Sequence, residues 1–379
     1  MKLIKKILNL ALSPLKILPF KKDKIIIQST NPDNYNNNPK YLFEYLSRNK
    51  LNIYWFCQNS EVKKYLIKNN FNYISYNNPL KLIYVSLCAK VILDAGSNYF
   101  NFLNLIPKSA KKIHIGHGAA NKMVLHKFYK SKSVDYYYKK FDYINFPSRY
   151  TIKNVARKQY DLDKQKIIYL GYSKFEELKK LNIKKNNSKK IIFYTPTWRP
   201  YSYPLPILNL KNFDLKSFKN FLSKNNIIFV YSRHSINSNA DNDKFEDKKN
   251  IFFINPKKNV FFDMTKYLKK IDLLLNDCSS TSIETLFLNK PQINIFPDLK
   301  RYNLESGFIN KYQENLTGPL IKDYNDLKKI ILQYLNNPKI YQKRYAKSIA
   351  IEKNRYYDLF NNESNKLSLN ALQFCATKT

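Results

Sequence analysis

Apolar runs too short to be helices alternate with stretches of helical spacing along almost the whole chain. Residues 24–28 (KIIIQ), 51–57 (LNIYWFC), 71–76, 91–94, 112–115, 143–146 and 167–170 read as strands, rich in Ile, Val, Tyr and Phe. Helices fit the intervals 38–48, 61–68, 80–89 and 151–157. Asn38-Pro39 opens the first of them, since a proline in the first helical turn forfeits no hydrogen bond. A lysine- and asparagine-rich stretch at 179–190 interrupts the pattern, which then restarts. Runs at 191–194, 227–231, 251–254, 271–275 and 292–296 read as a second set of parallel strands with helices between them. Polar or proline-marked loops fall at 204–206 and 237–249, and residues 323–372 read as three lysine-rich helices.

Alternation of this kind predicts an α/β protein with two doubly wound domains. The 379 residues suffice for two such domains, each with its own core. Facing strand ends would enclose a cleft, the GT-B-like layout, with C-terminal helices in addition. The expected division is a basic segment at 1–23, a first α/β domain at 24–178, a second at 179–345, and helices at 346–379 that pack back on the first domain. Fold analogy leaves the reaction open.

Lys and Arg outnumber Asp and Glu by 66 to 28, a formal charge of +38. Such a field attracts polyanions: nucleic acid, an anionic bilayer or a phosphate-rich substrate. A coding bias visible in the many Asn, Lys, Ile and Tyr residues accounts for part of the excess. The charge is spread along the whole chain and no nucleic-acid-binding module occurs, so nucleic acid is not an expected partner. Cys57, Cys88, Cys278 and Cys375 are far apart and read as free thiols in a reducing compartment, with no zinc site to be built from them and the scattered histidines. Near the N-terminus, Leu3, Ile4, Ile7, Leu8, Leu10 and Ala11 share one helical face, with Lys2, Lys5, Lys6 and Asn9 around the other. Charges and Pro14 break the run well short of a membrane span, so the pattern fits a helix lying on an anionic surface. A domain-packing helix with a basic exposed side fits it too.

Candidate chemistry gathers after strands. His117, between Gly116 and Gly118, follows the strand at 112–115; flanking glycines let a substrate approach an imidazole suited to taking a hydroxyl proton. Lys122 stands close enough to steady a phosphate. In the second half, Thr195, Thr197 and Arg199 follow one strand, Arg233 and His234 another, and Asp277, Ser279, Ser280 and Thr281 a third. Hydroxyls and free N–H groups at a helix start favour an anion, and arginine grips phosphate bidentately. Thr281 with Glu284 also fits a capping box that needs no ligand. Together the clusters suit transfer between a nucleotide diphosphate donor and a hydroxyl acceptor, by positioning and charge stabilisation. No paired-carboxylate metal motif stands out, and whether a divalent metal takes part stays open.

At these residues the chain resembles the CDP-glycerol glycerophosphotransferase family, the teichoic acid and capsule polyol-phosphate primases and polymerases. Asn37 to Leu42 takes the place of the family's D-N-P-K segment, and Gly116 to Lys122 that of its W-H-G-T-P-L-K loop. Thr195 to Arg199 matches A-P-T-W-R, Arg233-His234 stands near R-x-H, and Asp277 to Ser280 matches D-Y-S-S. Lys290 to Ile293 and Arg301-Tyr302 follow in order. Gly116, Ala119, Ala120 and Asn121 depart from the pattern around the histidine. The resemblance implies a catalytic base in His117, oriented by Asp94, and a donor site formed by Arg233, His234, Ser279 and Ser280, with Thr197 and Arg199 nearby. His234 would stand at the leaving-group side and Glu284 within reach of the ribose or cytosine. It implies CDP-glycerol or another CDP-polyol as donor, a glycan or lipid-linked polyol as acceptor, and a peripheral place on the cytoplasmic face of the membrane. The alternative is a GT-B glycosyltransferase using a nucleotide sugar.

Removing residues 1–22, or replacing Lys2, Lys5 and Lys6 by Glu, is expected to release the protein from anionic vesicles while turnover of a soluble acceptor persists. Vesicle co-sedimentation checks this, and added salt should weaken binding, because charges are screened over about 8–10 Å at 0.1–0.15 M. Equal sedimentation of intact and truncated chains would refute it.

Overall fold

The computed structural model describes residues 13–96, 105–116, 118, 138, 140–158, 161–180, 189–201, 203–232, 245–255, 258–314, 316–359 and 372. Two parallel sheets organise them. The first has seven strands in the order β3-β2-β1-β4-β5-β6-β7: β1 Lys24–Gln28, β2 Ile53–Phe56, β3 Tyr73–Ile74, β4 Ala89–Asp94, β5 Lys111–His114, β6 Tyr143–Phe146 and β7 Ile167–Tyr169. The second has six, ordered β10-β9-β8-β11-β12-β13: β8 Lys190–Thr195, β9 Ile227–Ser232, β10 Ile251–Ile254, β11 Leu273–Asn276, β12 Gln292–Ile295 and β13 Leu320–Ile321. Each is doubly wound, so the expected α/β, GT-B-like architecture is the one observed.

The sheets are sandwiched by helices, as their strands require. On one face of the first sheet Ile25, Ile27, Trp55 and Val91 pack with Phe43 and Leu46; on the other Ile26, Phe56 and Ile92 pack with Leu82 and Val85. Strands apolar on both faces are stable only when covered on both. In the second sheet Ile192, Tyr194, Phe229 and Leu275 meet Phe218 and Leu327 on one side, while Phe193 and Leu274 meet Leu268 on the other.

Most expected strands appear within a residue or two, and the differences have local causes. Strand β11 begins at Leu273, because Ile271 is the C-cap of helix Met264–Lys270. The two-residue strand β13 is too short to show a period. The expected helix at 151–157 is Arg149–Thr151 followed by a π-helical stretch Ile152–Arg157, opened by a Ser148–Thr151 capping box. The helix between β11 and β12 runs Ser280–Leu286, with Ser279 as N-cap; the capping box of Thr281 and Glu284 does not form.

The C-terminal segment shows helices Tyr324–Asn336 and Pro338–Tyr356, with Leu372 in the first domain's core. Residues 360–371 and 373–379 lie outside the described residues, as do residues 1–12 of the basic N-terminal segment. Helix Pro338–Tyr356 ends beside the first domain: Tyr150 packs edge-on against Tyr356, and Asp358 accepts from the Arg149 N–H at 3.2 Å. Tyr356 and Tyr357 join Tyr172, Phe175, Ile283 and Leu286 in one buried cluster.

Elsewhere the seam mixes apolar and polar contacts: Val260 enters the first domain's core and Phe261 packs against Tyr35 and Tyr65, beside several charged pairs. Lys40 pairs with Asp263 at 3.1 Å, Tyr41 donates its hydroxyl to the same carboxylate, and Lys269 meets Glu177 at 3.3 Å. A mixed-charge cavity of about 290 Å³ opens there, lined in part by Lys40, Tyr41, Glu44, Ser173, Glu177 and Lys266.

Gly318 leads into β13, and a Cβ built on it would lie 2.2 Å from the Gln292 carbonyl oxygen. Since that obstacle is backbone, Gly318→Ala is expected to destabilise the protein by about 1–3 kcal/mol or more. Denaturant unfolding measures it, and an unchanged midpoint would contradict the close approach.

Candidate active site

In the second sheet the chain leaves β8 for β9 on one side and reaches β12 from β11 on the other, so β8 and β11 flank the switch point. Loops diverging from such neighbours leave a crevice at the strand ends, where ligands of this architecture bind. Thr195 closes β8 and pairs in register with Asn276, which closes β11. Both are buried; among the described residues, Thr195 Oγ1 and Asn276 Oδ1 make no hydrogen bond.

The crevice walls are fixed by buried charge. The Asp277 carboxylate accepts from Thr197 N at 2.9 and 3.0 Å, from Cys278 N at 2.6 Å, and from Arg199 Nη1 at 2.7 Å. Arg199 also reaches Asp298 through Nε at 2.7 Å and Nη2 at 2.9 Å, and the Thr197 carbonyl at 2.9 Å. Its guanidinium lies against the rings of Phe296 and Tyr302, centroids 4.8 and 5.1 Å away, and is 4% exposed. Burial opposes the charge, but Asp277 and Asp298 more than offset it and hold the Arg199 pKa well above its usual value. Arg199 and Asp277 thus join the β8, β11 and β12 loops. Arg301 stacks on the Tyr201 ring at 3.9 Å, and the Tyr201 hydroxyl donates to Asp298 at 2.8 Å.

At the start of helix Ser280–Leu286, the Ser279 side chain accepts from Thr281 N at 3.4 Å, and Ser282 Oγ donates to the Ser279 carbonyl at 2.7 Å. Ser279 and Ser280 stay partly exposed at the crevice, whereas Thr281 and Glu284 are buried. Glu284 forms an ion pair with Lys174 of the first domain.

Opposite stands the loop after β5. Gly116 has φ of 66°, and a Cβ there would lie 2.4 Å from the Tyr172 hydroxyl, so only glycine fits. Asn38 Nδ2 donates to the carbonyls of Ile115 and Gly116 at 3.1 and 3.3 Å; Asn145 Nδ2 reaches the Gly171 carbonyl at 2.8 Å. A Cβ built on Gly118 would meet Ser280 Oγ at 3.2 Å, so this loop comes close to the hydroxyl pair across the cleft. Asp94 is fully buried at the end of β4, accepts from Gly96 N at 2.7 Å, and pairs in register with His114. His114 packs edge-on against Tyr138 and Phe141, a structural position. His117, Lys122, Arg233 and His234 lie outside the described residues. Among those described, no group of three or more His, Cys, Asp or Glu converges as a cation site.

Asn38, Asn145, Lys174 and Asp298 were not singled out as site residues in the sequence. Asn145 carries the clearest signal, an amide inside an apolar strand that must find partners when buried.

Two doubly wound sheets with facing strand ends, one lined by hydroxyls and the other by a glycine-flanked loop, define the GT-B architecture. Residues 12–366 match the family model CDP-Glycerol:Poly(glycerophosphate) glycerophosphotransferase, and the chain belongs to that family. It is accordingly an enzyme that transfers glycerophosphate from a CDP-activated donor to a hydroxyl acceptor. The teichoic acid glycerol-phosphate primase of Bacillus subtilis (strain 168) is 26% identical over 318 residues, covering 77% of this chain and 78% of the primase. A teichoic acid poly(glycerol phosphate) polymerase of the same organism is 23% identical over 340 residues, covering 80% of this chain but 43% of the polymerase. The solved wall teichoic acid polymerase TagF shares the fold, with a TM-score of 0.70 at 20% identity over 99% of this chain and 98% of that one.

Arg199→Ala would leave Asp277 and Asp298 buried without their counter-charge. A loss of about 3–5 kcal/mol is expected. Chemical denaturation measures it; a loss below about 1 kcal/mol, the range of exposed pairs, would mean that the carboxylates are solvated.

Proposed function

We propose that the protein transfers glycerol phosphate from CDP-glycerol to a hydroxyl of a lipid-linked or capsular glycan or polyol at the inner membrane surface. The carrying observation is the close approach of Gly118 to Ser280. It puts the loop of His117 against the helix start that offers hydroxyls and N–H groups to a diphosphate.

In this reading residues 24–178 receive the acceptor and 179–345 hold the donor. His117 takes the proton as the acceptor oxygen attacks the β-phosphorus of CDP-glycerol. The bond from that phosphorus to the bridging oxygen breaks, CMP leaves with the oxygen, and a phosphodiester remains. Ser279, Ser280, Arg233 and His234 stabilise charge on the phosphates, and positioning of the two substrates supplies much of the rate. Arg199 acts through Asp277, by holding Thr197 and Ser279 at the crevice. Attachment to the bilayer falls to the basic segment at 1–23. No helix among the described residues is long and apolar enough to cross a membrane.

With CDP-glycerol and a polyol acceptor, mass spectrometry is expected to find CMP and an added phosphodiester. A glycoside formed from a nucleotide sugar, with no CMP from any CDP-polyol, would refute the proposal. His117→Ala should cut turnover by about 10²–10⁴-fold with donor affinity retained. Comparable turnover at saturating donor would remove His117 from the role of base.

A further inference from the structure

The close approach of the His117 loop to the hydroxyl helix is closed into a ring by side chains outside the reacting centre. Asn38 holds the carbonyls of Ile115 and Gly116 with its amide nitrogen, and its Oδ1 accepts from Lys174 N at 3.4 Å. The Lys174 ammonium crosses to the second domain and pairs with Glu284. Glu284 belongs to helix Ser280–Leu286, whose first residue lies close to Gly118. The path therefore runs from the loop through Asn38, Lys174 and Glu284 back to the loop.

The pair is enclosed, with side chains 1% and 5% exposed, and the ammonium sits over the rings of Tyr172 and Phe175 at 5.8 and 5.7 Å. The cross-domain pairs of Asp263 and Lys269 engage a different helix, Met264–Lys270. Among the described residues, Lys174–Glu284 is the ion pair that ties the first domain to the helix bearing Ser280. We propose that Lys174 and Glu284 are positioning residues, a clasp that sets the gap between the His117 loop and the phosphate-binding hydroxyls. Glu284 is then no contact for the donor's ribose or base. The proposal rests on the site reading given above.

Its physical logic is the cost of disturbing an enclosed charge pair. With both partners present the clasp stays shut; with one neutralised, the attraction that holds the two domains' side chains together is lost and they shift. That shift pulls on Lys174 and, through Asn38, on the two carbonyls before His117. A misplacement of about 1 Å at reacting groups costs on the order of 10²-fold in rate.

Glu284→Gln keeps the shape and removes the charge. Hydrogen exchange, followed by mass spectrometry, should rise in the opposite domain at residues 113–118. Calorimetric titration with CDP should give an affinity within about threefold of the parent, while kcat on CDP-glycerol falls by about 10–100-fold. The reciprocal variant Lys174→Glu/Glu284→Lys should recover part of the lost kcat. CDP affinity falling in step with kcat would overturn the clasp in favour of a donor contact. Faster exchange confined to residues 280–286, with kcat unchanged, would reduce the pair to local packing. If Glu284→Gln does not fold, Lys174→Arg, which keeps the charge but lengthens the side chain, is judged by the same readouts. Should the parent release no CMP, the functional reading fails, while the exchange comparison still decides the clasp.

Discussion

Arg199, enclosed between Asp277 and Asp298, is the interaction on which the second domain's working face depends. Its five-donor fork links the loops that leave β8, β11 and β12 and turns diverging strand ends into one rigid wall. An aromatic box of Phe296, Tyr302 and Tyr312 around Cys278 keeps water from the ions, and the Tyr312 hydroxyl ties back to the Asp277 carbonyl at 2.9 Å. In that low-dielectric setting the bidentate geometry with Asp298 matters more than charge alone, since imperfect pairing would not offset desolvation. Ser279 follows Asp277 by two residues, so the hydroxyls inherit their position from this network.

Across the cleft the constraints are amides and glycines. Asn38 and Asn145 hold carbonyls at the end of β5 and β7, and the Tyr172 ring lies where a side chain on Gly116 would have to go. The domains meet through ion pairs and a tyrosine–carboxylate bond together with buried apolar contacts, the Tyr172–Phe175–Ile283–Leu286 cluster and Val260 in the first domain's core.

The fold does not choose the chemistry. Doubly wound pairs of sheets serve several nucleotide-dependent reactions, and what differs is the side chains offered at the strand ends. Here those are small hydroxyls at a helix start and a glycine-flanked loop, beside a buried arginine held by two carboxylates.

Much of this was legible in the chain itself. Strands β1, β6 and β10 fall at the residues where period and composition put them, and the break at 179–190 separates the two sheets. Local physics decides such features, since apolar runs of fixed period need a covered sheet whatever the final order of the strands. Thr195, Ser279 and Ser280 were likewise visible as hydroxyls after strands. The partners of Arg199 and Glu284 were not. Asp298 lies 99 residues from Arg199, and Lys174 lies 110 from Glu284. A buried charge takes its role from whichever counter-charge the fold brings to it, and only the tertiary structure supplies that partner.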